Sequence, residues 1–395
     1  MILNYRKKET VFTLLFLAAI AFLLLLPTGF ARQIYVNSEG AKARVLEVDN
    51  SSVYTNGIIR QGDQRCAVEL LSGAHKGEKA QAINLLIGKL DIDKLFEPGD
   101  VAFVIVENKA DGSIRFVNMV EHYRVGKELL LIGLFAVLLI AFSGFTGVRT
   151  LLSFAFTLLA IWKLIIPLML KGYPPLLVAL GVGCCITVTT LVMVAGLTKK
   201  AFAAIGGAIV CSLATGLLSM VFTDYFEIHG AVMQWSESLL YSGFGSLDLT
   251  GVYTAAVYLA CSGAILDLAV DISAALDELA RHKPDITKGE LIRSGLNIGK
   301  SVVGSQTATL LLAYMGSYLT VMMVYMAQAT PLMSIFNSKS IAAEVLHTFV
   351  GCIGLVLVSP ATSLISATLY TRGGEAKAES QKAPEPKPPP DIAEK

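Results

Sequence analysis

From residue 129 to residue 369 the chain is a series of apolar stretches, each near the ~20 residues that carry an α-helix across a bilayer. Backbone N–H and C=O groups find no partner in hydrocarbon, so such stretches fold as helices packed on one another. The stretches are 129–147, 151–170, 175–197, 201–221, 251–271, 302–327 and 341–369. A further run, 11–26, follows Arg6, Lys7 and Lys8, and the expected total is about eight spans. Composition agrees: 54% of residues are hydrophobic and 16% charged, against roughly 25% charged in soluble domains.

The basic residues orient these spans. From a cytoplasmic N-terminus, the inside connections hold Arg149, then Lys199 and Lys200, then Arg281, Lys283, Lys288, Arg293 and Lys300. The outside ones hold Lys171, a 222–250 loop with no Lys or Arg, and Lys339. That is the positive-inside pattern of a multi-pass membrane protein with both termini inside. Residues 1–30 read as an anchor or a signal peptide. The one small-x-small site, Gly29-Phe30-Ala31, is a poor cleavage site, so an uncleaved anchor is expected.

Residues 31–126 form the sizeable soluble part, placed outside the membrane. AKARVLEV, SVYTNGIIR, QRCAVELL, QAINLLI, DVAFVIVE and SIRFVNMV are short, β-branched and separated by turn signals. They predict a small all-β barrel of OB or SH3-like type. Residues 127–370 are then a seven-helix membrane domain with a cytoplasmic segment at 272–300, and 371–395 a Pro- and Lys-rich disordered tail. In the segment, Pro284 ends one helix after Lys283, and Asp285 or Thr287 caps the next.

Chemistry-bearing residues are few. Asp267 and Asp271 lie four apart in GVYTAAVYLACSGAILDLAVDISAAL and share a helix face. An aspartate at the helix centre costs about 2.5–3.5 kcal/mol to insert, so a carboxylate there points to solute or ion binding, or to a buried hydrogen-bonding role. Asn297, in the Gly295–Gly299 approach to the next helix, is expected to bond freed carbonyls at the level of Asp271. A kink is expected there as well. Glu344 and His347 are i, i+3, and with Glu227 and His229 they could make a metal-binding set. Lys163 is expected to snorkel to the outer interface beside Trp162. Two small-residue faces, Ala204/Ala208/Ser212/Gly216 and Gly181/Cys185/Thr189, predict close helix packing.

SGAILDLAVDISAALDEL followed by SGLNIGKSVVGSQTATLLLAYMGS resembles the signature region of the YibE/F-like family of multi-spanning bacterial membrane proteins. The resemblance runs from Val45 to about Thr368 and implies the architecture above, an α-helical polytopic protein, without implying a reaction. Ser305-Gln306-Thr307-Ala308 departs from the family's more Met/Asn-rich run.

Other classes find little footing. A net charge of +1 without a basic, aromatic-interleaved patch gives no reason for a nucleic-acid partner. The six cysteines make no disulfide framework and read as small buried residues. Gly299-Lys300-Ser301 mimics a P-loop end, but Ser294 stands where the motif needs Gly. No nucleophile and base set appears, so neither an enzyme nor a cofactor is expected. The leading expectation is a transporter for a small solute or ion. The alternative is a membrane scaffold or signalling protein using the barrel and the 272–300 segment, as a homo-oligomer or with a membrane-protein partner.

Overall fold

The computed structural model describes Thr13, residues 16–30 and residues 37–381, with side chains as far as Thr371. Two compact units result: one spans residues 30–142, the other residues 1–29 and 143–395.

In the first unit five strands close into a barrel: β1 (Ser38–Asn56), β2 (Ile59–Leu70), β3 (Lys79–Ile87), β4 (Val101–Asn108) and β5 (Ile114–His122). Their order is β1-β2-β3-β5-β4, with β4 returning to β1 and a short parallel contact between β3 and β5. This five-stranded Greek-key order favours the OB alternative over the SH3-like one. The six expected segments become five strands. SVYTNGIIR is the tip of one long β1–β2 hairpin turning at Asn56-Gly57, and bulges near Val45 and Asp49 bend β1 around the barrel.

Alternation along β2 sends Gln64, Cys66, Val68 and Leu70 inward, all 0% exposed. Gln64 closes one end of the core. Its Nε2 donates to Asn50 Oδ1 and to the Phe96 carbonyl, and its Oε1 accepts from Asn84 Nδ2 and the Phe96 N–H. The helix α2 (Val125–Ser143) follows β5 in the same unit, and none of its residues is buried.

The second unit is helical. It comprises α1 (Phe16–Leu25), α3 (Phe145–Leu170), α4 (Pro175–Ala195), α5 (Lys199–Tyr225), α6 (Leu249–His282), α7 (Lys288–Ser317), α8 (Leu319–Ala327) and α9 (Lys339–Gln381). Among the described residues six helices are long and apolar enough to cross a membrane, or seven if α7 and α8 form one bent span. The expected eight is not confirmed: of the stretch at 11–26 the structure describes the shorter helix α1, and residues 11, 12, 14 and 15 lie outside the described residues. The tail also begins later than expected, since α9 passes Arg372 and continues to Gln381. Residues 382–395, assigned to that tail, lie outside the described residues.

α3 widens to a π turn at Ile161–Ile165. Pro167 has no N–H to give its i−4 carbonyl, that of Lys163, and the wider turn accommodates its ring. Lys163 Nζ donates to the Leu26 carbonyl at 2.9 Å, capping the end of α1. Phe16 meets Phe156 at 5.1 Å between ring centroids, so α1 packs on α3.

Thr287 caps α7 through a capping box with Glu290, as the Lys283–Thr287 turn signals predict. Ala204, Ala208, Ser212 and Gly216 of α5 are buried as expected. On α4 the buried seam is Ala179, Gly183 and Thr187, two residues away from the predicted face. Cys66, Cys211 and Cys261 are buried, Cys184 and Cys352 partly so, and Cys185 is exposed.

Glycines set the closest approaches. A Cβ on Gly207 would meet Thr362 Cβ at 2.9 Å and Thr362 Cα at 3.0 Å, so α5 and α9 touch nearly backbone to backbone. Gly295 and Gly299 of α7 meet Ser363 and Ser359 of α9 in the same way. That region is close-packed as expected, but α7 runs through it as continuous helix; the bend, 60°, comes at Tyr318.

Two tests follow from this packing. Gly207→Ala is expected to lower the thermal midpoint of the purified protein, at a cost of about 1–3 kcal/mol for overpacking. Gly304→Ala, with nothing within 4 Å of the added carbon, should leave it unchanged. In the barrel, burial pushes the Cys66 thiol up to about 11, so at pH 8 it is an unreactive neutral thiol. Gln64→Leu strands the groups it satisfies, at about 1–3 kcal/mol each. Mass spectrometry after iodoacetamide treatment should find the Cys66 peptide unmodified in wild type and increasingly labelled in this variant.

Candidate functional site

α6 lies at the centre of the helical unit, packed by α4, α5, α7 and α9. Tyr253, Val257, Tyr258, Cys261, Ile265, Leu268, Ile272 and Leu276 mark its buried sides. Its remaining side carries exposed Ala256, Ala260, Gly263, Asp267 and Asp271 at helical spacing. The two aspartates thus share a face, as their spacing predicts, and that face is turned away from the bundle core. Neither makes a hydrogen bond or ion pair among the described residues. Asn297 is likewise exposed on α7 and bonds no carbonyl there, so the polar link expected between it and the level of Asp271 is not formed in this structure.

The four-residue metal set does not come together. Ile228 is buried, whereas its neighbours Glu227 and His229 are exposed, and His229 accepts from the Ala231 N–H to start a short 3-10 turn. Glu344 and His347 face inward from α9. Among the described residues no three His, Cys, Asp or Glu side chains converge as metal ligands.

What Glu344 and His347 do meet is aromatic. The His347 ring stacks on Tyr314 of α7 with centroids 4.2 Å apart and planes at 26°. The Tyr314 hydroxyl lies 3.7 Å from Cys261 Sγ of α6. Tyr253 of α6 donates from its hydroxyl to the Ala343 carbonyl at 2.6 Å, fixing the start of α9 beside α6. Glu344 Oε2 is 3.9 Å from His347 Nδ1, beyond hydrogen-bond reach. Its Oε1, His347 Nε2 and Thr348 Oγ1 are buried without a hydrogen-bond partner among the described residues.

Tyr318 is the residue at the α7–α8 break and Tyr314 lies one turn before it, so this polar cluster sits against the bent span. The i, i+3 spacing of Glu344 and His347 was visible in the sequence. The tyrosines were not, because only tertiary packing brings residues 253, 314 and 318 to the same place.

A concavity lies in the barrel unit, where β5 passes into α2. It is a cavity of about 630 Å³ whose lining includes Lys42, Asp100, His122, Arg124 and Lys127. Lys42 Nζ sits 4.7 Å over the Tyr123 ring, and Arg124 pairs with Glu121 at 3.1 Å.

Comparison with known proteins gives one match. The family model described as YibE/F-like protein covers residues 131–372, which include α3 to α8, all but the first residues of α2 and most of α9. No curated protein and no solved structure matches the chain.

Proposed function

The chain belongs to the YibE/F-like family, and we propose that it is a membrane transporter or permease for a small solute or ion. The observation that carries this reading is the broken span. α7–α8 bends by 60° where its tyrosines meet the incompletely bonded Glu344 and His347. Transporters commonly build solute and ion sites at such discontinuous helices, where backbone and polar side chains lose their regular partners. Asp267 and Asp271 provide a separate pair of carboxylates, and Asp267 is the group assigned to binding or coupling. On an exposed helix face a carboxylate has to meet water, a cation or a polar partner, and a solute path supplies one.

The distribution of Lys and Arg supports a bacterial cytoplasmic membrane location with both termini inside and the barrel outside. Thermal unfolding tests the transport reading. A small solute or ion that binds the folded state at about 100-fold its Kd stabilises by about 2.7 kcal/mol. One member of a panel of ions and solutes at fixed pH is expected to raise the wild-type midpoint and to lose that effect in Asp267→Asn. Equal responses in both proteins would remove Asp267 from the site. For topology, Lys76→Cys should be labelled by a membrane-impermeant maleimide in intact cells above the wild-type background; labelling of Lys199→Cys instead would invert the orientation.

A second reading, a scaffold or signalling protein, is favoured by the barrel cavity. Its lysine- and arginine-bearing lining suits an acidic partner. The barrel would then recognise the partner and the 272–300 segment would pass the signal on.

A further inference from the structure

Glu344 is 7% exposed and Thr348, one turn further on, 2%; Oε1 of the first and the hydroxyl of the second have no partner among the described residues. The titratable groups facing Glu344 are His347 on its own helix, Tyr253 from α6, and Tyr314 and Tyr318 from the bent span. The connection between α5 and α6 adds apolar Ile228, Val232 and Met233 to the surrounding cluster, while its Glu227 and His229, and Asp224 near the end of α5, stay exposed. No lysine or arginine pairs with Glu344 among the described residues.

A carboxylate removed from water and left without a cation is costly, so such a group holds either a proton or a metal ion. A metal ion needs a shell of several oxygen or nitrogen ligands, and among the described residues no third His, Cys, Asp or Glu side chain joins Glu344 and His347. A proton needs one oxygen. The geometry points to Glu344 as a reversible proton-binding site beside the broken span. On loading, an O–H bond of a hydronium ion breaks and an O–H bond forms on the carboxylate, leaving the neutral acid and water. On release the O–H electron pair stays on the carboxylate as the proton returns to water. That the bound proton couples to a transported solute rests on the transporter reading; that Glu344 binds it does not.

Infrared difference spectra of the full chain in liposomes, taken between acid and alkaline pH, test the site directly. Wild type is expected to show the C=O stretch of a protonated carboxylic acid, shifted in D2O. Glu344→Gln, close in shape to the neutral acid, should lose that band, Glu344→Asp should keep it at a displaced position, and Asp267→Asn should keep it in place. An unchanged band in Glu344→Gln would overturn the proposal. So would a Na+- or K+-dependent rise in thermal midpoint that Glu344→Gln abolishes, because the site would then hold a cation. Proton flux into the same liposomes, followed with an entrapped pH dye, separates the two readings. A Glu344 band without flux under any solute gradient leaves the proton site standing and removes the transport role.

Discussion

The close approach of α9 to α5 and α7 is the contact on which the helical unit depends. Lipid tails are as apolar as leucine, so helices in a membrane are held by packing and polar contacts rather than by exclusion from water. Gly207 against Thr362, Gly295 against Ser363 and Gly299 against Ser359 let three helices approach without intervening side-chain bulk. Because α9 is anchored along this seam, its start is placed beside α6 and the α7–α8 break, and the Tyr253–Ala343 hydrogen bond completes that placement. The position of Glu344 follows from packing about four to five turns away.

The same arrangement accounts for the contrast between the two acidic sites. On α6 the core claims the bulky side chains, leaving Asp267 and Asp271 on the remaining small-residue face. On α9 every side near Glu344 is covered, by aromatic rings and aliphatic side chains that offer it no countercharge. One pair of carboxylates is open and the other carboxyl group is enclosed, so they have different access to ions and water.

Much of the fold was legible because it follows from local rules. Long apolar runs mark the helices, Pro284 followed by Asp285 and Thr287 marks the start of α7, and the β-branched segments mark the barrel. Long-range pairing was less accessible. The β1–β2 hairpin was divided into too many strands, because bulges interrupt its alternation without ending it. The α4 seam was displaced by two residues, because several sets of small residues share that helix and the sequence does not say which one Tyr258 packs against. Spacing gave no sign that Lys163 meets the carbonyl of Leu26, far away in sequence. For the site, spacing showed that Glu344 and His347 share a face, but what that face meets is set by packing of α6 and α7.

The break at Tyr318 also gives the structure a mechanical property. α8 is a nine-residue arm, about 13 Å long at the rise of an α-helix. It is joined to α7 by one residue outside regular helix, while α7 itself is fixed by its glycines. A tilt of about 10° at that joint would carry the far end of the arm by about 2 Å. The joint lies one helical turn from the ring that stacks on His347. Small rotations of that ring are therefore made next to the pivot of a lever, where their effect at the tip of α8 is greatest.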